Sequence, residues 1–221
     1  MRKRKKADLT RDEILAEAQS IALRKGMDLS MRDLAAALNT WPNAIYGHFE
    51  NKFVLQQALT ERILDQAFGE DITKAILDEA NPWEEGFRLG GRTIYEVTAR
   101  YRGLGPLLTF HGMGIGSRAM QLIPAMVMIL MRKGLSETRA ATIIQVVTVY
   151  IASMGEMTAL FESGLTDKSA FTDNFQVSQS LPMAQTMAIF YDYRKSERVV
   201  EGIDIFIGAI AAELQRPDVP G

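Results

Sequence analysis

The sequence contains no cysteine and only two histidines, His48 and His111, in 221 residues. Disulfides, thiolate catalysis and cysteine-ligated zinc are thereby excluded, and any metal site would have to be built mainly from carboxylates. Acidic pairs such as Glu70/Asp71 and Glu84/Glu85 read as solvated faces, so neither a metal nor a cofactor is expected. Phosphate-binding and hydrolase signatures are missing as well: no GK[ST] and no GxSxG occurs, and "GMGIG" (112–116) lacks both the GxGxxG spacing and a preceding strand. That stretch reads as a helix break, and no catalytic residue is expected. No strand alternation stands out, so the expected fold is all-α. Long apolar runs are scarce too. The longest, "ATIIQVVTVYIASMG" (141–155), is broken by polar residues and ends at Glu156, short of the roughly 20 residues a membrane span needs. The N-terminus is basic but is not followed by the apolar core of a secretory signal. A cytoplasmic chain that does not enter a membrane is expected.

What is present is a real core and an uneven charge. With 47% hydrophobic and 24% charged residues the composition is that of a globular protein. Residues 1–52 carry ten Lys/Arg against seven Asp/Glu, whereas the remainder carries 15 against 20. A positive head on an acidic body suggests an end that faces nucleic acid.

Helix punctuation organises that head. Thr10 and Glu13 form a T-x-x-E capping box, with Leu9 and Ile14 placed to close a hydrophobic staple, and helical spacing continues until Gly26. The pattern repeats with Leu29, Ser30 as N-cap, Asp33 and Leu34, predicting a short helix over about 31–38. Pro42 suits the first position of a further helix, expected to run two turns to Phe49 before Asn51 caps the next. Ile45 and Phe49, four apart, share the inward face, which leaves Pro42, Asn43, Tyr46 and Gly47 on the others. Two short helices separated by a tight turn form a helix-turn-helix whose second member could enter a major groove. On spacing alone, a helical hairpin that merely caps a larger bundle is an equal reading.

The segments "ILAEAQSIALRKG", "LSMRDLAAALN" and "AIYGHFENKFVLQQAL" resemble the DNA-binding head of the tetracycline-repressor (TetR/AcrR) family of bacterial transcriptional regulators, over Thr10 to about Leu59. Ile45, Tyr46, Gly47, His48, Phe49 and Lys52 satisfy its apolar-Tyr-x-His/Tyr-Phe pattern and the Lys that follows. The resemblance implies a DNA-binding domain over 1–52 and a ligand-binding, dimerising domain over 53–221. Its DNA-facing residues would be Ser30, Arg32, Trp41, Pro42, Asn43, Ala44, Tyr46, His48 and Lys52. Ser30 would meet a phosphate at a helix N-terminus, and Tyr46, His48 and Lys52 would touch the backbone. Asn43 could read adenine and Ala44 a thymine methyl. Two positions depart from the family pattern. Asn39 stands where Gly is common, a mild change because Asn tolerates a left-handed turn. Trp41 stands where Ser or Thr caps the helix, and an indole cannot cap; it either lies against DNA or packs over the first helix. The arm "RKRKK" (2–6) could neutralise phosphates or enter the minor groove.

From Asn51 onward the chain reads as long helices with Gly or Pro breaks, including a helix over 136–163 and another near 197–214. These two, apolar on broad faces, could pair with their copies in a four-helix homodimer interface, or could simply complete the core of a monomer. Nine of the twelve Met lie beyond residue 110; Met fills irregular core space, its commoner role, and also adapts to varied apolar ligands. The resemblance implies a cavity for a small, partly apolar effector, with Arg92, Thr98, Tyr101, His111, Met113 and Gln145 as candidate wall residues. The expected function is a repressor that binds a palindromic operator as a homodimer and is released by its effector. The alternative is an all-helical small-molecule binder or enzyme whose N-terminal helices are only a structural cap.

Overall fold

The computed structural model describes residues 9–109, 111–112, 114, 116–164 and 196–215. The basic arm, Met113, the polar stretch after Gly164 and "PMAQTMAIFYDY" lie outside these residues. Ten helices occur among the described residues, and no strand. In chain order they are α1 (Arg11–Lys25), α2 (Met31–Ala37), α3 (Pro42–Tyr46), α4 (Lys52–Ala67), α5 (Glu70–Leu77), α6 (Trp83–Arg100), α7 (Leu104–Thr109), α8 (Arg118–Arg132), α9 (Glu137–Glu162) and α10 (Ser196–Leu214).

The caps form as their residue types predict. Thr10 Oγ1 accepts from the Glu13 amide at 3.1 Å and Glu13 Oε2 accepts from the Thr10 amide at 2.9 Å, with Leu9 and Ile14 buried beside the box. Ser30 Oγ accepts from Asp33 N and Asn51 Oδ1 from Val54 N, each at 3.0 Å. The third helix is shorter than its pattern implies. Gly47, a poor helix former, closes α3 by donating to Asn43 O, and His48 N then turns to Ile45 O at 2.8 Å. Phe49 still reaches the core without remaining helical.

Two apolar clusters hold the chain together. The first joins α1, α2 and α3 to α4 and continues into α6, α7 and α8, so Ile14, Ile45, Phe49 and Leu59 share one core with Tyr101, Leu104 and Leu122. The second joins α6, α8, α9 and α10 through Phe87, Tyr95, Leu130, Ile144, Ile151 and Ile203. Close helix approach depends on small residues. A Cβ on Gly91 would stand 2.8 Å from Ile203 Cδ1 and 2.9 Å from Ile151 Cδ1, and one on Gly155 would stand 2.8 Å from Tyr95 O.

Helix α9 is longer than its uninterrupted apolar run. Its 26 residues are long and apolar enough to cross a membrane by length and composition alone. It packs instead against α6, α7, α8 and α10 and buries Ile144, Val147, Ile151 and Ala159 among them. On the final helix Val199, Ile203, Ile207 and Ile210 are buried against the chain's own core, whereas Ile205 is 73% exposed.

Candidate functional site

The second helix of the helix-turn-helix is anchored by Ile45 and Phe49, both fully buried. Asn39, in the turn between α2 and α3, has φ 50°, the left-handed conformation its side chain tolerates. Trp41 sits at the N-cap of α3 with φ −97° and ψ 147°, gives no side-chain cap and is 62% exposed. Asn43 and Gly47 are exposed beside it, Tyr46 is 47% exposed and Pro42 is half-buried. Ser30 and Arg32 are exposed on α2. One expected base contact does not fit. Ala44 is buried, because a five-residue helix lying against α2 puts two adjacent side chains into the core, so its methyl is not displayed for a thymine.

The cations of this head are largely occupied. Lys52 Nζ pairs with Asp28, and this neighbour holds the Asp28 carboxyl below its ordinary range. Arg11, which pattern reading did not single out, lies over the Phe49 ring at 4.2 Å and donates to His48 O at 2.9 Å. His48 is half-buried, and its Nε2 is buried with no hydrogen-bond partner among the described residues. Over residues 9–52 there are five Lys/Arg and six Asp/Glu, so the positive charge of the N-terminal segment resides in residues 2–6.

A second candidate site is a cavity of about 340 Å³ enclosed by α4 to α9. Its wall includes Leu64, Phe68, Phe87, Ile94, Met126 and Ile144, with Gln145 and Thr148 on α9. Of the wall residues expected from sequence, Gln145 alone lines it among the described residues. Thr98 is fully buried, donates to Ile94 O at 2.7 Å and packs where α6 meets Gly155. The buried Tyr101 accepts at its hydroxyl from Gln19 Nε2 at 3.0 Å, so it ties α6 to the head. Arg92 is exposed and outside the wall. His111 borders a different, open cleft with Asp28, Lys52 and Gln56. Met113 lies outside the described residues. Phe87 and Ile94, seven apart on α6 and so on one helix face, line the cavity in place of the polar residues of that helix. Met120 and Met126 also line the cavity.

Polar contacts join the cavity helices to the head. Glu156 on α9 accepts from Gly103 N at 2.8 Å and from Gly105 N at 3.3 Å, and burial pushes its carboxyl up while those amides pull it down. The same turn reaches the α1–α2 connection: Met27 N donates to Arg102 O at 2.8 Å and the Arg102 guanidinium donates to Lys25 O. On the other side, the start of α8 hangs from α4, with Gly116 N donating to Glu61 Oε1 at 3.2 Å and Arg118 N to Asp65 Oδ1 at 2.8 Å.

Residues 14–59 match the family model described as "Bacterial regulatory proteins, tetR family". No curated protein matches the chain. Solved structures share its fold at low identity. A possible TetR family transcriptional regulator from Streptomyces coelicolor A3(2) has a TM-score of 0.75 and 17% identity, covering 92% of this chain and all of the other. The S. coelicolor TetR family protein ActR in complex with (S)-DNPA has a TM-score of 0.65 and 23% identity, covering 93% and 98%. BioQ with its double-stranded DNA operator has a TM-score of 0.57 and 23% identity, covering 71% and 93%.

Proposed function

We propose that this chain, a tetR-family regulator by its head and by its fold, binds double-stranded DNA as a homodimer and is released from a palindromic operator by a small molecule held in the α4–α9 cavity. The observation that carries the reading is the division of labour on α3. Ile45 and the following Phe49 are wholly buried, while Trp41, Asn43 and Tyr46 face outward from the segment that matches the family. Packing accounts for the first pair; it gives no reason to display the second group. Asn43 offers a paired donor and acceptor to a base edge, and Tyr46, Ser30 and Arg32 offer donors to phosphates. Lys52 is available to a phosphate because its partner Asp28 is solvent-exposed, and such surface pairs are weak.

Dimer formation would cover apolar side chains that one chain leaves in water: Met128 and Met131 on α8, Val146 and Val149 on α9, and Ile205 on α10. Two heads related by a two-fold axis read half-sites about 34–36 Å apart, hence a palindrome. Release follows from linkage, since an effector that binds the DNA-incompetent arrangement better weakens DNA binding by the same factor. The contacts from α9 through Glu156 to Gly103, and from α8 to Glu61 and Asp65 on α4, supply the rigid path along which a filled cavity can turn the head. This role is not enzymatic.

The test is selection of bound duplexes from a random DNA pool by the purified protein at physiological salt. Recovery of an inverted repeat is the expected result. Absence of enrichment by folded, ligand-stripped protein would overturn the reading and leave the head as a cap on a helical binding protein.

A further inference from the structure

We infer that the effector is an uncharged, predominantly hydrocarbon molecule carrying a single hydrogen-bonding group at one end, where it meets Gln145 and Thr148. The inference rests on the regulator reading only for its biological consequence. Among the described residues, the cavity wall contains no Asp, Glu, Lys, Arg or His. A carboxylate, phosphate or ammonium held there would lose its hydration with no opposite charge to replace it, a cost that exceeds what apolar contact returns. A charge carried into the depth of this lining, away from the solvent side, would therefore be strongly disfavoured.

The polar groups of the wall are few and grouped. They are Thr109, Gln145 and Thr148, and the Thr109 hydroxyl already donates to Gly105 O at 3.0 Å. Gln145 and Thr148 remain, three residues apart on α9 and so on one face of that helix. Gln145 is exposed and Thr148 half-buried, whereas Ile144, Val147 and Ile151 on the same wall are buried. The polar pair therefore marks the solvent side of the cavity, and the depth is hydrocarbon: Leu64, Phe68, Ile76, Phe87 and Leu122. An amide and a hydroxyl together accept and donate, which suits a ligand hydroxyl, ketone, secondary amine or amide. A cavity of about 340 Å³ is at the small end of the range for ligand sites, so a compact molecule of a few rings or one short chain fits, and a nucleotide-linked acyl group does not.

Two fluorescent probes with the same aromatic skeleton make the test: N-phenyl-1-naphthylamine, which is neutral, and 8-anilinonaphthalene-1-sulfonate, which adds one anionic group. The neutral probe should saturate at one per chain with a dissociation constant at least tenfold lower than that of the sulfonate. Gln145→Lys, on the exposed side of α9, should narrow or reverse that ratio by giving the sulfonate a partner. Thr148→Trp, which fills the mouth, should abolish binding of the neutral probe while the helical circular dichroism is unchanged. Equal or tighter binding of the sulfonate to the parent protein would overturn the inference, as would neutral-probe binding that Thr148→Trp leaves intact. Release is read separately, on a duplex recovered by selection. A neutral probe that binds as described yet leaves the DNA complex intact would keep the ligand class and sink the release mechanism.

Discussion

Trp41 illustrates how one side chain can be placed against local stability. Its φ and ψ of −97° and 147° nearly coincide with the −93° and 145° of Ser30, whose hydroxyl caps α2. A Ser at position 41 would therefore find the geometry of a working cap, worth up to about 1 kcal/mol. An indole left 62% exposed in its place forgoes that gain. The prediction is that Trp41→Ser leaves urea stability equal or higher while weakening operator binding by about tenfold, a loss of about 1.4 kcal/mol. Unchanged affinity and selectivity would return Trp41 to a packing role. Phe49 is the opposite case: fully buried under Arg11, its replacement by Ala should cost about 3–5 kcal/mol in urea unfolding. DNA binding would then fall through loss of the folded head.

At the level of elements, the helix starts at Thr10, Ser30, Asn51 and Ser136 were legible because they depend on nearest neighbours, whereas α5, which has no side-chain cap and lies in a stretch that reads as polar, was not. Thr10, Ser30, Asn51, Ser117 and Ser136 all accept the amide three residues on, so each start is a four-residue decision. The end of α3 was not, because Phe49 keeps its inward position whether or not residues 47–49 are helical. The cavity wall was legible only in part, since which face of α6 meets α9 is decided by Gly91 and Gly155 across the chain, not by local pattern. Thr98 lies on the side of α6 that meets Gly155, and Tyr101, just beyond the end of α6, turns to Gln19. The Glu156 latch was invisible for the same reason: its partners are amides more than fifty positions away. Its titration is nevertheless testable. Burial raises the folded carboxyl above its usual value, so the proton is held more tightly folded than unfolded, and this group favours the folded state most at low pH. Relative to Glu156→Gln, the parent should lose stability as pH rises from the usual carboxylate value through the raised one, then level off. Urea titrations of both proteins between pH 4 and 7 check this, and a pH-independent difference would mean that Glu156 is not strained by burial. If the latch also couples cavity to head, Glu156→Gln should bind effector and operator yet shrink the effector's influence on operator affinity.

For the whole molecule, charge decides how the protein meets DNA at all. The chain carries a formal net charge of −2, and its residues beyond 52 are more acidic than basic. DNA would repel such a body. Residues 9–52 do not offset this, with five Lys/Arg and six Asp/Glu, and two of the five already engage Asp28 and Phe49. On the proposed function, the arm Arg2, Lys3, Arg4, Lys5 and Lys6 would then be the chief source of long-range attraction, and α3 would supply short-range recognition. These two contributions separate by salt. Binding that displaces counterions weakens with added salt along a log-log line whose slope changes by about 0.9 for each phosphate contact. Deleting residues 2–6 should therefore lower operator affinity strongly at low salt, flatten the slope by about 0.9 for every arm residue that neutralises a phosphate, and double that change if two arms engage in a dimer. The preference among sequences should survive if Asn43 and Trp41 read the bases, because electrostatic attraction to the backbone is blind to sequence. A slope unchanged by the deletion would make the arm a passenger, and the head would then have to overcome the repulsion of its own body through the exposed residues of α2 and α3 alone.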